Sequence, residues 1–288
     1  MARVLCAGHV NWDVTLRVDS LPDPDGEAAI TTQSQAGGGS ASNAAAGLAG
    51  LGVETALVGS VGDDEHGPLV RQELASLGVD CTPIRTVTGG ETTVKYLVVD
   101  EDGQVMVLAN DGVNEAFTAE AVPDEQFVAS DHLHLTGQSP KTAAALAERA
   151  VEAGLTVSVD PGRRLCSRDF GDAVANADYL FLNERELDCA REWDLLGRAD
   201  AVVCKQGDDG ATLRDGELPS HGGYDVDAVD TTGAGDAFAA GFLAAVLDGQ
   251  SHDDALAVGN ACGALTAEAL GARVDLSWDA IEEFRVTH

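Results

Sequence analysis

Short apolar runs alternate with alanine-rich stretches along most of the chain. Val4–Gly8, Thr55–Val61, His132–Thr136, Thr156–Asp160, Tyr179–Leu182 and Ala201–Cys204 have the length and bounds of buried strands. Between and after them, Ser40–Leu51, His66–Leu77, Lys141–Ala153, Ala234–Leu247 and Asp253–Leu270 have helical character, with Ser40 near the cap of the first. Strands alternating with helices predict an α/β fold, a mainly parallel sheet covered by helices on both faces. No repeat, linker or low-complexity tail divides the sequence, so a single domain over 1–288 is expected.

Two segments depart from this rhythm. Asp13–Val18 and Glu27–Ser34 alternate polar and apolar residues, and so do Thr92–Asp100 and Gln104–Ala109, joined at Glu101-Asp102-Gly103 as a turn. Four such strands suit a small separate sheet, built from insertions at about 11–36 and 90–113. An open parallel sheet binds ligands beyond the carboxyl ends of its strands, where such a flap acts as a lid.

Charge narrows the partners. Against 49 acidic residues stand 17 basic ones, a net −32, and the only lysines are Lys95, Lys141 and Lys205. Such a chain repels nucleic acid and anionic membrane surfaces, so neither is expected as a partner. Self-repulsion on this scale is relieved where salt shortens the Debye length to about 3 Å at 1 M. The composition therefore points to a salt-rich cytoplasm, as in a halophile. No apolar run reaches the ~18 residues of a membrane span, and the opening residues read as a first strand rather than a leader. The six cysteines form no CxxC pair and read as small core residues in a reducing compartment. The histidines lack metal-ligand spacing; His132 and His134 flank Leu133 on a strand.

The chemistry-bearing motifs begin with exclusions. No lysine follows a glycine, so a P-loop is absent, and no GxGxxG follows the first strand. HExxH and GxSxG are missing as well. The strongest signal is Asp230-Thr231-Thr232-Gly233-Ala234-Gly235-Asp236-Ala237-Phe238, opening an apolar helix. Small residues admit a ligand to the backbone, and a helix start offers unpaired N–H groups and a positive dipole end. Gly233, Ala234 and Gly235 are the candidate anion hole. A carboxylate beside an anion site, Asp236, fits a general base that takes a proton from an attacking hydroxyl. Spacing alone is equally compatible with an ordinary helix start with an acid in its first turn.

This run resembles the signature of the ribokinase-like (PfkB) carbohydrate and nucleoside kinases, and the resemblance covers nearly the whole chain. Gly38-Gly39-Ser40-Ala41-Ser42-Asn43, then Val58-Gly59-Ser60-Val61-Gly62-Asp63, is similar to the family's N-terminal signature. Asn11-x-Asp13, Asn183-x-x-Glu186 and Gly207-Asp208-Asp209-Gly210 resemble three further motifs in order. The resemblance implies a three-layer α/β/α sandwich with a β-sheet lid, and transfer of the γ-phosphoryl group of ATP to a hydroxymethyl group of a sugar. It makes Asp236 the base and Asn11, Asp13, Gly38, Gly39 and Asn43 the acceptor site. Nucleotide contacts fall to Asn183, Lys205, Gly207, Gly210 and Asn260, and Glu186 would place Mg²⁺ through waters. Asp230 and Thr232, with the loop Gly271-Ala272-Arg273, resemble a monovalent cation site, so activation by K⁺ is expected. Pairing of two copies through the lid, with two-fold symmetry, is a further expectation.

The acceptor is less determined. A ribose- or fructose-like sugar is the first expectation. Pro161-Gly162-Arg163-Arg164 and His132-Leu133-His134-Leu135-Thr136-Gly137 resemble the 2-keto-3-deoxygluconate kinase branch, where Arg163 or Arg164 would grip a carboxylate. A nucleoside is the third option. A regulator that kept the fold without catalysis, and a metal-dependent hydrolase using Asp225, Asp227 and Asp230, are rivals of other classes.

Overall fold

Alternation along the strands sorts side chains to two helical layers. In the computed structural model, which describes residues 2–101, 104–214 and 219–288, Val4 and Cys6 pack into one core while Leu5 and Ala7 pack into the other. This is the period-two geometry of a strand buried on both faces. Asp102 and Gly103, read as a turn, lie outside the described residues.

The elements follow in chain order: β1 (Arg3–Ala7), β2 (Asn11–Val18), β3 (Ile30–Gly38), α1 (Ser40–Gly50), β4 (Glu54–Gly62), α2 (His66–Ser76), β5 (Ile84–Val87), β6 (Thr93–Val99) and β7 (Val105–Ala109). Then come α3 (Asp124–Val128), β8 (His132–Thr136), α4 (Pro140–Glu152), β9 (Thr156–Asp160), α5 (Gly171–Val174), β10 (Tyr179–Asn183) and α6 (Glu184–Glu192). The chain continues through β11 (Ala201–Lys205), β12 (Ala211–Arg214), β13 (Ser220–His221), α7 (Ala234–Leu247), α8 (His252–Ala267) and α9 (Trp278–Thr287). Single turns of 3₁₀ helix occupy Gly162–Cys166 and Gly207–Asp209.

The main sheet has nine strands in the order β13-β12-β11-β10-β9-β8-β1-β4-β5. Every neighbouring pair from β11 to β5 is parallel, and β12 and β13 add an antiparallel edge. Helices α1, α7 and α8 pack with one core, α4 and α5 with the other. The mainly parallel, three-layer expectation holds. From β1 the order runs one way to β4 and the other way to β8, so the ends of β1 and β8 flank a topological switch point, where such sheets bind ligands.

The deviant segments pair with each other as expected, in a four-stranded sheet β3-β2-β6-β7. Strands β2 and β6 run parallel, with Asp13 opposite Lys95. Trp12, Val14 and Val94 are buried, whereas all of β7 is exposed.

Ser40 lies next to the cap of α1, as expected; the cap itself is Gly39, with φ +100, and Ser42 Oγ donates to the carbonyls of Gly38 and Gly39. One expectation needs correction. The cysteines are not all reduced: Cys166 and Cys189 form a disulfide, their Cα atoms 5.2 Å apart. Their 23-residue separation matches no motif, and only the folding of α6 against the 3₁₀ turn at Gly162–Cys166 brings the sulfurs together. Cys6, Cys204 and Cys262 are free and buried, as read from the sequence, and Cys81 is free and half-buried.

Candidate active site

The start of α7 is shaped by one glycine. Gly233 has φ +80, and a Cβ there would lie 2.4 Å from the carbonyl oxygen of Ala272. Only glycine takes this left-handed turn against the neighbouring loop. The N–H of Ala234 donates to the Thr231 carbonyl at 3.2 Å. Those of Gly233, Gly235 and Asp236 have no hydrogen-bond partner among the described residues, so they are the amides open to an anion.

Asp236 sits in the first turn of α7. Burial pushes its carboxyl up to about 6; the Asn43 hydrogen bond opposes this and the nearby Asp160 charge reinforces it. Asn43 Nδ2 donates to Asp236 Oδ2 at 2.9 Å. Asn43 is itself held by Arg273, whose Nε donates to Asn43 Oδ1 at 3.1 Å and whose Nη1 pairs with Glu73 at 2.6 Å. Glu73 also accepts from the Gly37 N–H. Arg273 and Glu73 were not singled out in these roles, because the residues they join are far apart in sequence.

On the acceptor side, Asp13 packs on Gly38, where a Cβ would lie 2.0 Å from Asp13 Oδ2. Burial raises the Asp13 carboxyl above its usual range, and the Lys95 charge opposes it. Asn11 is fully buried; its Oδ1 accepts from Asn114 Nδ2 at 2.5 Å. Several buried polar atoms here have no partner: Asn11 Nδ2, Asp13 Oδ1, Thr136 Oγ1, and both amide atoms of Gln138; His9 Nε2 has only the Glu115 carboxylate, at 3.4 Å. Such orphans are costly unless a ligand completes them. They cluster in residues following β1, at the start of β2, and at the end of β8. The strand-end rule could have flagged His9 and Gln138 from their place after β1 and β8.

The expected nucleotide residues gather around one cavity of about 420 Å³. Asn183, Lys205, Gly207, Gly210 and Asn260 line it, together with Gly235. Lys205 Nζ lies 2.5 Å from Asp160 Oδ2, and a Cβ on Gly235 would be 3.4 Å from that ammonium. Burial lowers the Lys205 pKa, but Asp160 and Glu186 outweigh it and the net shift is upward. Asn260 Nδ2 lies 3.0 Å from His221 Nδ1. Asn183 and Glu186 form a reciprocal cap on α6, each side chain 2.9 Å from the other's backbone N–H. Burial raises the Glu186 carboxyl, and the Asp160 charge adds to the rise.

Other candidates fall apart from these groups. Asp230 ties two loops, accepting from the N–H groups of Thr232 at 2.9 Å and Gly271 at 3.1 Å. Arg163 is exposed, and its charge acts on Glu186. Its neighbour Arg164 instead turns to Glu115. Asp225 and Asp227 are exposed, and no group of three or more His, Cys, Asp or Glu among the described residues could hold a metal, so the hydrolase reading loses its site.

Asp236 thus follows Gly235, which lines the cavity, and bonds Asn43 on its other side. The model of the pfkB family carbohydrate kinases matches residues 1–279. The chain is 55% identical to the ATP-dependent ribose-1-phosphate kinase of Halopiger xanaduensis, over 99% of this chain and 98% of that one. It is 32% identical to the 2-dehydro-3-deoxygluconokinase of Bacillus subtilis, over 84% of each. Among solved structures, Thermotoga maritima ribokinase superposes with a TM-score of 0.88 at 25% identity, covering 99% of both chains. The fold is also that of a Methanocaldococcus jannaschii nucleoside kinase, with a TM-score of 0.88 over 100% of this chain and 99% of that one. By sequence and fold alike, the chain belongs to the pfkB family of carbohydrate kinases and is a phosphotransferase with an alcohol group as acceptor.

Proposed function

We propose that the protein transfers the γ-phosphoryl group of ATP to the hydroxymethyl group of ribose 1-phosphate, with Asp236 as general base. Identity of 55% over 99% of the chain to a ribose-1-phosphate kinase carries the choice of acceptor. Two contacts support this role: Asp236 is held by Asn43, and its chain neighbour Gly235 lines the cavity read as the nucleotide's. A carboxyl pushed up to about 6 is ionised at neutral pH yet more basic than an exposed one. It takes the hydroxymethyl proton as the acceptor oxygen bonds to the γ-phosphorus and the bond to the bridging oxygen of ADP breaks. The N–H groups of Gly233, Gly235 and Asp236, with the Lys205 ammonium, hold the charge on the migrating group. The products are ribose 1,5-bisphosphate and ADP.

Mg²⁺ bound with ATP neutralises phosphate charge. Glu186 and Asp160 fit it: two carboxylates face one ammonium, an excess of negative charge that a cation relieves. They would hold it through waters, since Mg²⁺ keeps several. K⁺ belongs to the same reading, with Asp230 and Thr232 at the loop that abuts Gly233; Asp230 Oδ1 and Oδ2 each accept one N–H and keep lone pairs for a cation. Equal rates in potassium and tetramethylammonium chloride at matched ionic strength overturn that part.

The test is ADP release with ribose 1-phosphate, ribose, 2-keto-3-deoxygluconate and nucleosides, in wild type and Asp236→Asn. Ribose 1-phosphate is expected to give the highest kcat/KM, and the variant to lose about 10²–10⁴-fold. Faster turnover of ribose, the sugar acid or a nucleoside overturns the acceptor. An unchanged Asp236→Asn overturns the base.

A further inference from the structure

One carboxylate oxygen beside the acceptor site collects three donors. Glu115 Oε1 lies 2.5 Å from Arg164 Nη1, 2.7 Å from Arg168 Nη1 and 3.4 Å from His9 Nε2. The histidine contact is the longest of the three, and His9 Nε2, although buried, has no other partner. The arginines line a cleft of about 360 Å³ with residues 111–116. Neither guanidinium has another side-chain partner among the described residues, so each keeps unused N–H groups. Two of the chain's 17 basic residues thus meet at one cleft, opposed by Glu115 and by the exposed Asp111 at its rim.

This cleft shares a wall with the acceptor site. Asn114, in its lining, accepts from the Val10 N–H at 3.0 Å and donates to Asn11 Oδ1 at 2.5 Å. The His9 carbonyl carbon and oxygen lie against Gly39, the cap of the helix that carries Asn43. The Lys95 charge acts on His9, Asp13 and Asp236 alike.

We propose that Arg164 and Arg168, with His9 as a third donor, bind the phosphate at carbon 1 of the acceptor, and that Glu115 is the counter-ion that aims the two guanidiniums. The inference rests on the ribose 1-phosphate reading and adds to it the residues that discriminate this acceptor from ribose. Two guanidinium forks match the oxygen geometry of a phosphate, and a neutral sugar offers them nothing. Glu115 occupies one N–H of each guanidinium, so the arginines are already oriented when the anion meets the others.

The test measures steady-state kinetics and calorimetric binding of ribose 1-phosphate and ribose in wild type, Arg164→Gln, Arg168→Gln and the double variant. Folding is checked by thermal melts at the same salt. Each single variant is expected to raise KM for ribose 1-phosphate about tenfold, and the pair about a hundredfold, with KM for ATP unchanged. Lysine at either position, which keeps charge without the fork, is expected to fall between. If wild type uses ribose 1-phosphate and the folded double variant keeps its KM within about twofold, the subsite is wrong and the acceptor reading stands. If wild type prefers another acceptor, ribose 1-phosphate is tested as a competitive inhibitor. Inhibition that weakens about tenfold in the double variant upholds the subsite; inhibition insensitive to it, or absent, overturns the subsite.

Discussion

Asp236 carries opposite demands at the scale of single residues. The burial that raises its pKa to about 6 also makes its ionised form unfavourable to the fold. A carboxyl raised on folding costs stability as pH climbs through the interval from its unfolded value toward the folded one, and the cost persists above it. Asp236→Asn is therefore expected to lose activity yet melt no lower than wild type at neutral pH, in a thermal scan of both proteins. The same group sets a pH profile: kcat/KM is expected to fall tenfold per unit below about pH 6 and to level off above. A profile flat down to pH 5 contradicts a base of this pKa. Arg273 works one step behind, fixing Asn43, which fixes Asp236. Arg273→Met is expected to lower kcat more than it raises KM for ATP, because the nucleotide cavity does not include it. It also leaves Glu73 buried in part without its cation, a loss of about 3 kcal/mol read by urea unfolding.

Elements show where sequence suffices and where it does not. Strands β1, β8, β9, β10 and β11 were legible because each is a continuous apolar run, buried on both faces. Helix α7 was legible for the same reason. Strands β5, β12 and β13 escaped notice, being two to four residues long and partly exposed. Helix α6, Glu-Arg-Glu-Leu-Asp-Cys-Ala-Arg-Glu, is mostly polar, with Glu186 and Ala190 its buried residues. Asn11, Asp13, Asn43 and Asp236 could be named in advance because short motifs carry them. Arg164 could be named as a candidate grip on an anion, but its meeting with Glu115 and Arg168 could not, since the two arginines approach Glu115 across 49 and 53 positions, a closeness that only the packed sheet creates. A test at this scale is Gly233→Ala. Its Cβ would press on Ala272 in a left-handed turn, shifting the first amides of α7. A loss of at least about tenfold in kcat is expected, with the melt lowered by strain of about 1–3 kcal/mol. The small sheet offers another test. Val105, Val107 and Leu108 of β7 and Tyr96 of β6 stand exposed, which supports pairing of two copies through it. Sedimentation equilibrium is expected to show a dimer that Leu108→Glu dissociates.

For the whole molecule, a net charge of −32 sets the conditions of folding. Screening acts on the repulsion spread over the surface and leaves buried contacts such as Lys205–Asp160 nearly untouched. The urea midpoint is expected to rise from 0.1 M to molar KCl, and ATP is expected to bind more tightly over the same range. Full stability in dilute buffer contradicts the salt-rich setting. The Cys166–Cys189 bond acts across the molecule in another way. It rivets the turn bearing Arg163 and Arg164 to the helix that Asn183 and Glu186 begin, so one covalent strut would brace the grips proposed for both substrates. Replacing both cysteines with serine removes a loop constraint of about 3 kcal/mol. The oxidative history of the enzyme would then be written in its affinities: protein kept under dithiothreitol should need more of each substrate to reach half speed, and air should restore its thrift.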